Sequence, residues 1–182
     1  MLAPGKAFLD TTKAVADDTT VDLAFPDTSA TNGLLTLRTE NSTTTLRGLV
    51  GDLPKYRNLF PTEFNHTATV DIAALKDAVQ RVALVATEEF PLRLTFAADS
   101  TLVPEAGTSD DAQAVDNVDT SLDGDELTVA FKSAFLLDGL NALTTESVDF
   151  HFTTSTKPAV LRGHGSDDQA LRYLLMPTRL TG

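Results

Sequence analysis

The chain has 182 residues, 42% of them hydrophobic, with 14 Lys and Arg against 26 Asp and Glu, a formal charge of −12, and no Cys. Its length supports one large domain, or one and a half ordinary ones, with a real apolar core, and its charge argues against bulk electrostatic adhesion to nucleic acid or anionic lipid, so any DNA contact must be local. Without Cys there is no disulfide framework, thiolate nucleophile or Cys-ligated zinc; no apolar run approaches the roughly 18 residues of a membrane span, and MLAPGKAFLD lacks the basic flank of a signal peptide, so cytoplasm is the expected compartment.

In chain order, KAFLDTTKAV (6–15) reads as an amphipathic helix, with Pro4 where a first turn tolerates proline. VDLAF (21–25), LLTLRT and TTTLRG follow as strand-like runs. GDLPKYRNLFPTEFN (51–65) carries two prolines and no sustained period, and reads as a connector and domain boundary. AALKDAVQRV (73–82) is the second helix, its stripe made of Leu75, Ala78, Val79 and Val82. LRLTF (92–96), STLVPEA, AQAVDNV and ELTVAF come next as strands, with an Asp123-Gly124 pair that predicts a tight hairpin. AFLLDGLNAL (134–143) is the third helix, followed by VDFHF (148–152), PAVLRG, a polar loop GHGSDDQA (163–170) and YLLMP. The helices align on Asp10, Asp77 and Asp138. The pattern therefore predicts three copies of a helix followed by an antiparallel meander, an α+β architecture with helices on one face and sheets on the other.

The end of the chain, YLLMPTRL (173–180), is strand-like as far as Met176. Pro177 cannot donate to a ladder, so the residues after it are expected to leave the sheet at an edge or on the surface. Leu175, Met176, Pro177 and Leu180 would then line an apolar groove, the plainer reading being a last core strand and a frayed tail. Catalytic patterns are poor. His66 falls in the connector, His151 on the alternate face of a strand and His164 in a Gly-flanked loop, without metal-ligand spacing, and each reads as a surface residue. Asp119, Ser121, Asp123 and Gly124 fit the opening of a calcium loop, but Ala130 stands where a bidentate Glu is needed. The pairs Asp110–Asp111 and Asp167–Asp168 have no apolar wall to raise one carboxyl for acid catalysis. No catalytic residue, metal site or cofactor is assigned.

YLLMPTRL resembles the C-terminal signature of the bacterial DNA polymerase III beta subunit, the sliding clamp, and GDLPKYRNLFPTE (51–63) resembles that family's connector between its second and third domains, with Leu53 for the usual aromatic. Residues 71–90, 126–143 and 148–162 resemble successive elements of the third domain, in an actinobacterial style. The resemblance implies the DNA clamp (processivity) fold, with 1–50 as the second half of the middle domain, 51–65 as connector and 66–182 as a complete C-terminal domain. The first domain, half of the second and the family's Thr-Asp-x-His-Arg-Leu segment have no counterpart.

What the resemblance further implies is a non-catalytic processivity factor, or a fragment of one, binding short linear motifs of DNA polymerase III subunits and other replication and repair partners. It places the peptide pocket at Pro54, Leu59, Phe90, Thr156, Pro158, Leu174, Leu175, Met176, Pro177, Thr178, Arg179 and Leu180. Asn58, Lys132 and Phe135 depart from the family's usual residues at the rim. Lys6, Lys13, Lys76, Arg81 and Lys132, on the three helices, would face duplex DNA weakly and without sequence preference, the alternative being solvated helix faces. An odd number of units implies a homo-oligomer, a two-fold dimer through residues 1–50 being preferred to a four-chain ring. Two other readings remain: a clamp-derived peptide-binding module that forms no ring, and a small acidic hydrolase.

Overall fold

The computed structural model describes residues 2–15, 20–25, 33–53, 55–87, 90–107, 112–167 and 170–179. It divides into two compact units, Met1–Tyr56 and Arg57–Gly182.

In the first unit, α1 (Gly5–Lys13) precedes an antiparallel sheet of β1 (Asp22–Ala24), β2 (Leu34–Arg38) and β3 (Thr43–Arg47), in that order. Pro4 serves as the N-cap residue, its carbonyl accepting from Phe8 N–H at 2.9 Å. Alternation in β2 buries Leu35 and Leu37 and leaves Thr36 to meet the Thr45 hydroxyl, 3.1 Å away, on the other face. An isolated antiparallel bridge joins Leu2, before the helix, to Leu49, after the last strand.

The second unit runs β4 (His66–Asp71), α2 (Ile72–Val82), β5 (Leu92–Phe96), β6 (Thr101–Gly107), β7 (Gln113–Val115), β8 (Val118–Asp123), β9 (Leu127–Phe131), α3 (Ser133–Ala142), β10 (Ser147–Phe152), β11 (Ala159–Gly163) and β12 (Arg172–Leu175). The strand order is β12-β11-β10-β4-β8-β6-β5-β9, with β7 beside β6. Asp71 caps α2, its carboxylate accepting from Ala74 N–H at 2.8 Å. The helical stripe Leu75, Ala78, Val79 and Val82 is buried, as its period predicts. It packs into one core with the inward residues of the strands, where Phe96 lies 5.5 Å from the Phe150 ring and 5.2 Å from Phe152. Gly139 admits the Tyr173 ring against α3: a Cβ there would lie 2.7 Å from it.

The three helices fall where expected and each is followed by an antiparallel meander, β1-β2-β3, β5-β6-β8 and β10-β11-β12, but the second unit adds strands that the repeat did not include. Each half of the second unit starts with a strand, and that strand joins the other half's sheet. β4 pairs with β10 of the second half, and β9 pairs with β5 of the first. HTATVD (66–71), assigned no element from the sequence, is thus a central strand. Only Ala68 and Val70 face the core there, and the threonines between them mute the alternation. AQAVDNV is broken at Asp116–Asn117 into β7 and β8. The Asp123-Gly124 pair is no hairpin: β8 lies between β4 and β6, whereas β9 pairs with β5. Gly124 alone of the two has positive φ, 126°, and a Cβ there would lie 2.6 Å from His66 Nδ1.

Candidate functional site

Of the expected pocket residues that the structure describes, Pro158, Leu174 and Met176 lie on the outer face of β10–β11–β12 and Pro177, Thr178 and Arg179 follow in the tail, whereas Leu175 faces inward and Leu59, Phe90 and Thr156 lie outside these strands. Residues that face each other in an antiparallel ladder share a face, so the register defines rows across the sheet. One row is polar: Thr69, Asp149, Arg162 and Arg172. The next, two residues along each strand, is Thr67, His151, Val160 and Leu174. Ala159 pairs with Leu175 inward, and continuing the register one step sets Pro158 opposite Met176 on the outer face. The face therefore grades from arginines to Val160 and Leu174 and then to Pro158 and Met176. Met176 is 59% exposed, while Leu175, on the inner face, is core.

The segment 60–65 covers the other side of these rows. Asn65 N–H donates to the Phe152 carbonyl at 2.8 Å, its side-chain amide donates to the Thr153 carbonyl at 2.9 Å, and the Thr153 hydroxyl donates to the Glu63 carbonyl at 3.0 Å. Held in this way, the Phe64 ring lies 5.0 Å from His151, and the Arg172 guanidinium sits 5.2 Å over Phe60. Phe60, Phe64, Val160 and His151, which lie on or against this face, are not among the residues expected from the sequence, and Val160 is buried there, 2% exposed. The only signal was the spacing of two aromatics in an aperiodic segment.

The tail does not fray from the sheet as its proline suggested. Thr178 N–H donates to the Ala130 carbonyl of β9 at 2.8 Å, so the chain past Pro177 is tied to the far end of the sheet order. β9 also pairs with β5 through Arg93 and Ala130, which brings the segment holding Phe90 to the neighbouring edge. Phe90 and Thr87 lock a turn there, with Phe90 N–H donating to the Thr87 hydroxyl at 3.0 Å. Thr156 and Arg179 are exposed, Pro177 and Thr178 half-buried, and Leu59 ends a short 3-10 helix, Tyr56–Leu59. Pro54 and Leu180 lie outside the described residues, as do Asp110, Asp111 and Asp168.

Charges around this face are mostly satisfied. Asp149 accepts from the Thr69 hydroxyl at 2.6 Å and has His164 Nδ1 2.9 Å away; His164 is exposed, as expected. His151 is half-buried, its Nδ1 3.2 Å from the Thr67 hydroxyl. Burial pulls its pKa below the ordinary imidazole value; Asp149 opposes that shift and Arg162 adds to it. His66 is the first residue of β4, where its Nδ1 accepts from Asp125 N–H at 3.1 Å. Among the described residues no cluster of three His, Asp or Glu could hold a metal ion.

On the helices, Lys6, Lys13 and Lys132 are exposed and Lys76 is half-buried. Arg81 is engaged by Asp116: its Nε and an Nη lie 2.8 and 2.7 Å from one carboxylate oxygen. That hydrogen bond holds the Asp116 carboxyl below its usual pKa.

Residues 57–179, which include every strand of this face, match the family model for the DNA polymerase III beta subunit, C-terminal domain. The chain belongs to the DNA polymerase III beta subunit family. It is 48% identical to the beta sliding clamp of Streptomyces coelicolor, over all of this chain and 49% of that protein. It is 37% identical to the beta sliding clamp homolog GriR of Streptomyces muensis, over 98% of this chain and 48% of that one. The DNA polymerase III beta chain of Streptococcus pneumoniae superimposes with a TM-score of 0.84 at 24% identity, over 97% of this chain and 46% of that chain. The sliding clamp of Pseudomonas aeruginosa gives 0.84 and 24%, over 98% and 47%. The fold is thus the clamp fold, and the chain spans about half the length of the curated relatives it matches. No helix among the described residues is long and apolar enough to cross a membrane.

Proposed function

We propose that this chain is a cytoplasmic, non-catalytic processivity factor of the sliding-clamp kind, which receives short linear motifs of polymerase and other replication proteins and assembles with further copies around duplex DNA. One observation carries the peptide site: the apolar step from Leu174 to Pro158 and Met176, flanked by arginines and ended by a tail tethered to β9. Such a face suits an extended peptide with aliphatic and aromatic anchors, and Arg179 is placed to meet a carboxylate or carbonyl. In this reading Leu59, Phe90, Thr156, Pro177 and Thr178 form the border of the groove.

Burial of about 300 Å² of apolar surface is worth roughly 7 kcal/mol gross, most of it offset by ordering the peptide, so micromolar to millimolar affinity is expected. A peptide with Gln followed by an aliphatic residue and Phe, titrated by calorimetry, should bind the chain and lose binding to Met176→Asp. Equal titration of that variant would remove the groove from the reading.

A second reading, a peptide-binding module that does not encircle DNA, is favoured by the helix faces. Asp77 and Asp138 are exposed there and Arg81 is held by Asp116. Absence of duplex binding even at low salt would select it. Binding that falls steeply as salt is added would select the first.

A further inference from the structure

We propose that the peptide received on the outer face carries an acidic residue beyond one end of its apolar anchors, and that Arg172 reads it. This rests on the peptide reading above and adds a specificity residue to it. Along β12 and the residue after it, Arg172, Leu174 and Met176 share the outer face, because residues two apart on a strand point the same way. Successive side chains on that face stand about 6.7 Å apart. An extended peptide advances at about the same rate, so a chain seated on Leu174 and Met176 brings a residue two to four positions beyond its anchors to Arg172.

Arg172 stands in the charged row, and the charges of that row differ in how far they are committed. The Asp149 side chain is 17% exposed, accepts from the Thr69 hydroxyl at 2.6 Å and has His164 Nδ1 2.9 Å away. Arg162 is half-buried and donates to the Asp167 carbonyl at 2.9 Å. Arg172 is exposed, with its guanidinium 5.2 Å over the Phe60 ring. Among the described residues no carboxylate forms an ion pair with it. A guanidinium over a ring is held through its face, while its N–H groups lie in the plane and stay available to a carboxylate, with less side-chain freedom left to lose. A cation fixed by an aromatic at the end of an apolar strip is complementary to an acidic side chain beside apolar anchors.

The net charge of −12 opposes such a ligand at long range. Contact outweighs it, because exposed charges more than about 8–10 Å apart are largely screened at physiological salt, whereas a carboxylate on Arg172 lies well inside that distance. The gain from an exposed pair is modest, about two- to five-fold in affinity. Arg172 therefore selects among peptides that the apolar anchors hold.

The test is calorimetric titration of the full chain with peptides that bear the Gln, aliphatic and Phe anchors and are extended by four residues at one end or the other, the extension holding either Glu or Gln. At one of the two ends the Glu peptide should bind about two- to five-fold tighter than its Gln counterpart at about 0.05 M salt, and the two should converge at about 0.5 M. Arg172→Gln should erase the preference and leave the Gln peptides binding as before. Arg172→Glu should invert it in favour of a Lys peptide, which a mere change in the packing of Phe60 would not do. Equal binding of Glu and Gln peptides at both ends, or a preference that survives Arg172→Gln, would overturn the inference. So would low-salt duplex binding that is lost in Arg172→Gln while every peptide is unaffected, since the guanidinium would then meet phosphate. Failure of all the peptides, the Gln ones included, removes the peptide reading and this inference together; Gln peptides that bind without any discrimination remove only the inference.

Discussion

His151 shows how one position on the outer face acquires a pH dependence. Its imidazole lies under Phe64 and beside the Thr67 hydroxyl, half-buried, and burial lowers its folded pKa. The unfolded chain takes up that proton near about 6.5, the folded chain only at lower pH. Between the two values the unfolded state binds more protons, so stability rises with pH across that window, is complete above it and is lost as pH falls through it. The urea midpoint should therefore drop on acidification from about pH 7 to about pH 5.5, and His151→Gln should remove part of that slope. An identical slope in the variant would place the dependence elsewhere. The sequence showed that His151 faces away from the core. It did not show that 60–65 lies across it, because the course of an aperiodic segment is set by long-range hydrogen bonds such as Asn65 to Phe152 and Thr153.

At the scale of elements, the Arg81–Asp116 pair joins the last turn of α2 to the link between β7 and β8. Arg81 is largely exposed, and pairs of this kind contribute within about 1 kcal/mol to stability. Asp116→Asn should thus leave the unfolding midpoint nearly unchanged. If the helix face meets DNA, the same substitution should raise low-salt binding of a duplex more than Asp125→Asn, which removes an equal charge elsewhere; an equal rise for both would reduce the effect to net charge. The three helices were legible because their apolar stripes repeat at the helical period over three turns. β4 was not, since a short central strand whose outer residues are Thr and His has the composition of a loop. β8 and the false hairpin at Asp123-Gly124 share one cause: turn chemistry is local, while strand partners here are chosen across the repeat.

On the scale of the whole molecule, the tail and the connector carried the resemblance, so the end of the proposed groove from Leu174 to Arg179 could be named in the sequence, whereas the neighbours Val160, Phe60 and Phe64 emerge only from register and packing. The exchange of β4 and β9 also ties the two halves of the second unit into one cooperative body. Val70→Asp, an uncompensated charge at a buried position of β4, should cost several kcal/mol. Amide exchange should then accelerate in β5–β6 and β10–β11 together; protection lost in only one pair would mean that the halves open separately.

The same exchange bears on how the protein is made. β4 needs β10, from which it is separated by about eighty residues of chain, as in the pairing of Ser147 with Asp71. While the ribosome still holds residues 147–152, Thr67 to Val70 can reach β8 but not their other neighbour, and the inner faces of Ala68 and Val70 stay without the Phe150 and Phe152 layer. Non-local pairing of this kind is slow and leaves open edges in the meantime. The half-built sheet is therefore the form in which a nascent chain would depend on a chaperone, and the interval before residue 152 emerges is when that dependence would be greatest.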